Sequence, residues 1–441
     1  VNRNGTWELV DLPHGHRPIG LKWVYKLKKN EAGKVVKHKA RLVARGFVQQ
    51  PGIDFDEVFA PVARMESIRL LLAVAAQKGW HVHHMDVKSA FLNGDLAEEV
   101  YVKQPPGFVV AGEEDKVLRL RKALYGLRQA PRAWNAKLDC TLKELGFDQS
   151  KHEHAMYRRN NGGSALLVGV YVDDLVITGP STRAIEQFKE EMKAKFQMSD
   201  LGLLSFYLGI EVKQGDDGIS LNQGRYAQRI VESAGLKDCN PCATPMEERL
   251  KLSRDSTAPP VDATKYRRLV GSLRYLVHTR PDLAFAVGFV SRFMERPTEE
   301  HMVAVKRILR YVAGTMEYGL HYKREKEEQR LIGYSDSDLA GDIDTRRSTS
   351  GMLFFLGSSL VSWQSIKQRV VALSSCEAEY VAATNAATQG IWLARLLGEL
   401  LGKQPKAIEL KVDSKSALAL AKNPVFHERS KHIDLRYHFI R

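Results

Sequence analysis

Ala165-Leu166-Leu167-Val168-Gly169-Val170-Tyr171-Val172-Asp173-Asp174-Leu175-Val176-Ile177-Thr178 decides how the chain is to be read. It predicts two apolar strands, Ala165–Val172 and Leu175–Thr178, with two acids where they join. Adjacent carboxylates in an apolar setting repel one another and are costly to desolvate. A divalent cation relieves both problems, and hard oxygen ligands suit Mg²⁺. Asp is equally common in a solvated hairpin turn, so this stretch alone leaves both readings open. A third acid tips the balance. Asp86, in Met85-Asp86-Val87-Lys88-Ser89-Ala90-Phe91, falls at the end of another expected strand, His81–Val87. One strand-end acid with two on a hairpin is how nucleotidyl transferases hold two Mg²⁺ ions. One ion activates a primer 3′-oxygen and the other neutralises the leaving pyrophosphate.

Working outward, the whole chain has 441 residues, 44% of them hydrophobic, which argues against disorder and leaves room for about three domains. Its net charge of +14 favours a polyanionic partner. The first fifty residues concentrate that charge, with eleven Lys and Arg against Glu8, Asp11 and Glu31. Four Cys are too few for a disulfide scaffold and suit a reducing compartment. Cys239-Asn240-Pro241-Cys242 lacks a second pair for zinc, so these Cys are expected to be structural. No apolar stretch is long enough to span a membrane, and no signal peptide opens the chain. With Val1 first and no tail after Arg441, it reads as a piece of something longer.

Basic strands are expected over Leu21–Lys29 and Val35–Phe47, and helices over Ile68–Gln77 and Pro131–Leu145. The Tyr266–Tyr318 block has helical periodicity. Asn240–Asp262, with four prolines, and the charged Lys323–Arg330 both read as solvated connectors. In the last block, Asp336 ends a strand, and a hairpin follows over roughly Met352–Trp363. A third strand is expected at Val370–Leu373. A long helix then starts near Ser374, and a fourth strand, Ile408–Val412, ends at Asp413. His81, His83 and His84 lack partners at zinc spacing and read as a partly exposed strand face.

The ordered motifs carry a resemblance. Trp7-Glu8-Leu9-Val10, Lys22-Trp23-Val24-Tyr25-Lys26, Ala40-Arg41-Leu42-Val43-Ala44-Arg45-Gly46, Asp86 to Phe91 and Leu124-Tyr125-Gly126-Leu127 come first. Gln129-Ala130-Pro131, Tyr171 to Asp174 and Leu208-Gly209-Ile210 follow. Together they resemble the reverse transcriptase–ribonuclease H segment of copia-type LTR retrotransposon Pol polyproteins, over essentially the whole chain. The resemblance implies a multidomain α+β and α/β chain. A right-hand polymerase with fingers, palm and thumb would lead, followed by a mostly helical connection and a ribonuclease H-like domain. The expected division is 1–214 for fingers and palm, 215–325 for thumb and connection with a linker near 240–262, and 326–441 for the last domain.

By the same resemblance, Asp86, Asp173 and Asp174 bind the metals, Asp174 least directly. Phe91 packs beneath the sugar and excludes a 2′-hydroxyl, or serves the core, or both. Tyr125 and Gly126 line the nucleotide pocket, and Gln129 contacts substrate. Lys39, Arg41 and Arg45 alternate on one face of a fingers strand and contact the triphosphate, or form a solvated basic face. Leu208, Gly209 and Ile210 form a primer grip, or a simple hairpin. In the last block the order of strands and acids resembles ribonuclease H, which assigns Asp336, Glu379, Asp413 and Asp434 to two further Mg²⁺ ions. Between two helix acids, Glu377 has capping-box spacing from Ser374 and so a structural task. Glu379 shares its face with Ala382, Ala383 and Ala386. Asp338 reads as a solvated loop.

The expected activity is RNA-directed DNA synthesis with cleavage of the RNA strand of RNA–DNA hybrids. Its substrates would be dNTPs, a DNA primer and an RNA template, with Mg²⁺, or Mn²⁺ in its place, and no membrane partner. Location would be cytoplasmic, in a retrotransposon particle, or nuclear, and the oligomeric state stays open. The alternative is a decayed or co-opted fragment that binds nucleic acid without catalysis. The presence of all seven acids in one frame ranks it lower.

Overall fold

The computed structural model describes residues 4–29, 34–161, 164–325, 330–422, 433 and 435–440. In chain order the elements are strands β1 (Trp7–Val10), β2 (Leu21–Lys29) and β3 (Val35–Ala44), helix α1 (Met65–Lys78), and strands β4 (Val82–Val87), β5 (Asp95–Val102) and β6 (Val117–Lys122). Helix α2 (Ala130–Glu144) precedes β7 (Asp148–Gln149), β8 (Met156–Asn161), β9 (Ser164–Tyr171) and β10 (Asp174–Thr178). Then come α3 (Thr182–Lys195), β11 (Met198–Leu203), β12 (Phe206–Tyr207), β13 (Ile210–Gly215) and β14 (Gly218–Asn222). Helices α4 (Gly224–Ser233), α5 (Ala263–Leu276), α6 (Ala284–Val290) and α7 (Glu299–Gly314) follow. The last elements are β15 (Gly319–Lys323), β16 (Leu331–Ser337), β17 (Thr349–Leu356), β18 (Ser359–Lys367), α8 (Ser375–Leu401), β19 (Glu409–Val412) and α9 (Lys415–Lys422).

Two compact units result. The first comprises 1–63 and 83–202, the second 64–82 and 203–441. The first holds a sheet of order β11-β4-β10-β9-β8-β7, a smaller sheet β1-β6-β5, and the β2-β3 hairpin. The apolar run singled out in the sequence becomes the β9-β10 hairpin, placed beside β4. Its core side chains, Leu166, Val168, Leu175 and Ile177, meet Trp134, Leu138 and Leu142 of α2 and Phe188 and Met192 of α3. Alternation along β3 buries Leu42 and Ala44 and leaves Lys39, Arg41 and Val43 on the other, half-exposed face.

The second unit has two four-stranded sheets, β12-β13-β14-β15 and β18-β17-β16-β19, with a helical core from α4 to α7. In the second sheet β16 pairs antiparallel with β17 and parallel with β19. Helix α1 belongs to this unit, although its sequence lies within the 1–214 block. Every residue from Ser67 to Gln77 is buried, and Gly79 in the left-handed region (φ 65°) closes the helix. The Arg69 guanidinium donates to the Val361 carbonyl (2.8 Å) and the His278 carbonyl (3.0 Å), and lies 3.8 Å from the Trp363 ring centroid. One cation thus ties α1 to β18 and to the turn after α5.

Two expectations fail here, and a third is described only at its edges. Residues 240–262 are irregular and largely exposed, but not a free connector. Leu252 is buried in the helical core, with Met246, Leu250 and Val261 packed against it. The Val261 N–H donates to the Pro297 carbonyl, and the Ser253 carbonyl pairs with His301 Nε2. The prolines removed backbone donors without removing the apolar side chains that drive burial. Of the second connector, Lys323 ends β15, and 326–329 lie outside the described residues. Val370–Leu373 is not a strand. The third strand is β18, which pairs with β17 over its length, and the short apolar run after it is the approach to α8.

A buried ionic cluster joins the second sheet to the helices of its own unit. Asp342 pairs with Lys367 (2.9 Å) and Arg292 (3.2 Å) and accepts from the Thr345 hydroxyl. Although burial works against it, the Lys367 ammonium and the Thr345 backbone and hydroxyl donors hold its carboxyl down to about 2. Its contribution to stability is complete above the ordinary carboxyl range near 4 and is lost as pH falls through about 2. Asp342→Ala would strand two partly buried cations. The expected loss is about 3 kcal/mol, or roughly 6–12 °C in the unit's melting temperature. Differential scanning calorimetry checks this, and an unshifted transition would refute it.

Candidate active sites

In the first unit Tyr171 pairs directly with Asp174, so Val172 and Asp173 alone form the turn. Val172 has φ 57°, a left-handed conformation that costs a β-branched residue free energy. Two anchors hold it. The Trp134 indole N–H donates to the Val172 carbonyl (2.6 Å), and the Val87 N–H donates to the Asp173 carbonyl (2.8 Å). The second bond fixes the turn against the end of β4, where Asp86 lies. Burial, then the charges of Asp174 and Asp86, raises the Asp173 carboxyl above its ordinary value, with Lys39 acting against them. An all-oxygen set of mutually repelling acids has the donor chemistry that a hard divalent cation requires.

Beside these acids the Phe91 and Tyr125 rings lie 4.9 Å apart, and the Arg41 guanidinium sits 5.4 Å from the Tyr125 ring centroid. Gly126 allows the approach. Its φ is 93°, and a Cβ there would come within 2.2 Å of the Ala44 carbonyl oxygen, while the Ala44 N–H donates to the Tyr125 carbonyl. Glycine therefore brings β3, and Arg41 with it, against Tyr125. Lys39 and Arg41 share a strand face, whereas Arg45 lies past the strand end and is exposed.

Gln129 has a different task from the substrate contact expected. It is buried, its amide donates to the Asp54 carbonyl (2.9 Å), and its oxygen accepts from Gln49 (3.0 Å). Both ends are spent on the 49–54 loop. His84 is the residue that sequence reasoning missed. It is buried rather than partly exposed, and its Nε2 lies 2.7 Å from Asp174 Oδ1. The signal was its position two residues before Asp86 on the same strand face.

In the second unit Asp336 at the end of β16, Glu379 in α8 and Asp413 after β19 bring ligand oxygens within 4.8 Å of one another. Parallel pairing of β16 with β19 puts the two strand-end acids side by side. Glu379 Oε1 accepts from the Ser337 N–H (3.0 Å), while Oε2 is buried without a hydrogen-bond partner. Burial, together with the charges of Asp336 and Asp413, pushes this carboxyl up to about 7. An orphaned oxygen aimed among two further acids fits a divalent cation. Glu377 behaves as the capping argument expected. Its N–H donates to Ser374 Oγ, and its carboxylate accepts from the Leu373 N–H. Asp338 is exposed but not idle, since its Oδ1 accepts from the Thr349 N–H (2.7 Å). Asp434 lies outside the described residues. Leu208 (φ 47°) and Gly209 (φ 82°) form the two-residue turn between β12 and β13, with Ile210 opening β13.

A family model described as reverse transcriptase (RNA-dependent DNA polymerase) matches residues 4–248. The chain belongs to this family. It is 44% identical over 451 residues to the retrovirus-related Pol polyprotein from transposon TNT 1-94 of Nicotiana tabacum, covering 100% of this chain and 34% of that one. With the Pol polyprotein from transposon RE1 of Arabidopsis thaliana it shares 42% identity, covering 99% of this chain and 30% of that one. The chain thus spans about a third of the length of these relatives. Among solved structures, a foamy viral protease-reverse transcriptase in complex with an RNA/DNA hybrid is similar at TM-score 0.49 and 13% identity, over 91% of this chain and 46% of that one. Among the described residues no helix is long and apolar enough to cross a membrane.

Glu379 gives a pH signature. With no cation bound, a carboxyl raised from about 4.5 to about 7 costs folded-state stability as pH rises between those values, because the folded protein holds its proton longer. Glu379→Gln should flatten that slope in the second unit's melting transition. A slope of the same size in the variant would show that another group is responsible.

Proposed function

We propose that this chain carries the two catalytic parts of a retrotransposon Pol protein. Residues 1–214 and 215–325 would act as fingers, palm, thumb and connection of an RNA-directed DNA polymerase. Residues 326–441 would act as a ribonuclease H-like domain that cleaves the RNA strand of the hybrid. The observation that carries the first half is the run of contacts from Arg41 to Tyr125 to Phe91, beside the electrostatically coupled Asp86 and Asp173. For the second half it is the convergence of Asp336, Glu379 and Asp413.

In this reading Asp86 and Asp173 hold divalent cations, Mg²⁺ or Mn²⁺ in its place, with Asp174 behind them. Such a pair of ions supplies activation of the attacking hydroxyl and neutralisation of the leaving group. Lys39 and Arg41 bind the triphosphate of the incoming dNTP, and a guanidinium stacked on Tyr125 is held ready for bidentate contact. Phe91 and Tyr125 form the floor beneath the sugar. Leu208, Gly209 and Ile210 hold the primer end, and Asp434 completes the second acid set. The +14 charge binds template, primer and hybrid through their phosphates, so affinity should fall steeply with salt.

Two measurements on the same preparations test both halves. Asp173→Asn should lower primer extension on an RNA template by at least about a hundredfold while duplex binding and hybrid cleavage persist. Asp336→Asn and Glu379→Gln should stop hybrid cleavage and spare extension, and Glu377→Gln should be mild. Normal extension by Asp173→Asn removes the polymerase assignment. Cleavage that survives both Asp336→Asn and Glu379→Gln leaves the C-terminal block a scaffold.

Phe91→Val tests the sugar floor. Shortening the side chain opens space for a 2′-hydroxyl, so incorporation of ribonucleotides relative to dNTPs should rise by roughly tenfold or more. An unchanged ratio in an active variant returns Phe91 to core packing.

A further inference from the structure

We propose that His84 is a positioning residue of the polymerase site. It fixes the Asp174 carboxylate, so that the two neighbouring acids of the hairpin divide their work, with Asp173 serving the cation and Asp174 serving as the anchor. The proposal rests on the polymerase reading above and extends it to a side chain outside the acid set.

His84 is 7% exposed, and its Nε2 lies 2.7 Å from Asp174 Oδ1. That separation is at the short end for nitrogen and oxygen, as expected when the acceptor is a carboxylate. Strand periodicity places His84 and Asp86 on one face of β4, so one strand delivers both a metal-site acid and the donor that occupies a second acid. β4 is held on its other face as well. There His83 Nδ1 meets the Lys189 ammonium (3.0 Å), which is itself buried and paired with Asp200 (3.1 Å). The imidazole is therefore presented from a rigid strand.

The arrangement answers a specific difficulty. Asp173 and Asp174 are consecutive, Asp173 feels the charge of Asp86, and β10, which Asp174 opens, pairs with β4. Unrestrained, Asp174 would be free to turn toward the cation and compete with Asp173 for it. Spending Oδ1 on a buried donor removes that freedom. The second-unit acids, where a backbone N–H from Ser337 meets only Glu379, gather their oxygens within 4.8 Å, whereas Asp86, Asp173 and Asp174 form no such group.

The test measures primer extension by the full chain against Mg²⁺ concentration for the wild type, His84→Leu, His84→Gln, Asp174→Asn and the double variant His84→Leu/Asp174→Asn. His84→Leu should raise the half-saturating Mg²⁺ about fivefold or more, with a smaller fall in kcat at saturation. His84→Gln keeps an N–H donor and should return it to within about twofold of wild type. If His84 acts through Asp174, the double variant is no worse than Asp174→Asn alone, a non-additivity that separates positioning from packing. Mn²⁺ binding, followed by electron paramagnetic resonance in an Asp336→Asn background, should weaken in parallel and needs no turnover. Additive effects, or a Gln variant as impaired as Leu with an unchanged melting curve, would overturn the proposal. A wild type with no metal-dependent extension would sink the polymerase reading instead, and the Mn²⁺ titration would still decide the part played by His84. Should His84→Leu fail to fold, Asp174→Asn and His84→Gln carry the comparison by themselves.

Discussion

Carboxylates brought close together must be held against their own repulsion, and both units meet that constraint with backbone and strand geometry. In the first, the turn that carries Asp173 adopts a costly backbone conformation at Val172. It keeps that conformation because Trp134 and Val87 anchor the carbonyls of Val172 and Asp173. In the second, a parallel strand pair aligns Asp336 with Asp413, and a buried helix supplies Glu379. In each unit one acid is raised above its ordinary value by burial and by its neighbours. The scaffold must outweigh that repulsion, and each site is backed by strands and helices with buried faces rather than by loops alone.

The two units solve the problem differently. The first-unit acids have an imidazole and, at longer range, a lysine near them. The second set relies on a single backbone N–H at Glu379 Oε1 and leaves Oε2 unpaired. An unpaired buried oxygen is expensive, so Glu379 carries a cost that the hydrogen-bonded Asp174 avoids.

Much of this was legible beforehand because it rests on local pattern. The β9-β10 hairpin, β4, α2 and the helical block follow from apolar runs and periodicity, with ends shifted by at most four residues. The cap that Ser374 makes on the Glu377 N–H followed from the spacing of the two residues. What could not be read depends on contacts between distant residues. His84 finds Asp174 ninety positions away, Gln129 finds Asp54, and Asp342 finds Arg292 and Lys367. Apart from the strand face that His84 shares with Asp86, nothing in the spacing of these residues distinguishes a buried partner from a solvated one. The 240–262 segment misled for the related reason that proline content reports on backbone donors and says little about where Leu252 will go.

Helix α1 has a consequence for synthesis on the ribosome. It is encoded at 65–78, yet its neighbours in its own unit are β14, β15, β18 and α8, completed only by residue 401. At roughly 5–20 residues per second, the translated helix waits on the order of 15–60 seconds for the strands that cover it. During that interval Ile68 to Ala76, an almost unbroken apolar run, has no permanent shelter. Contacts of such long sequence separation also slow folding after release. A nascent chain of this kind is an expected client for chaperones that shield apolar helices, and a gene fragment ending before β18 would leave α1 without part of its cover.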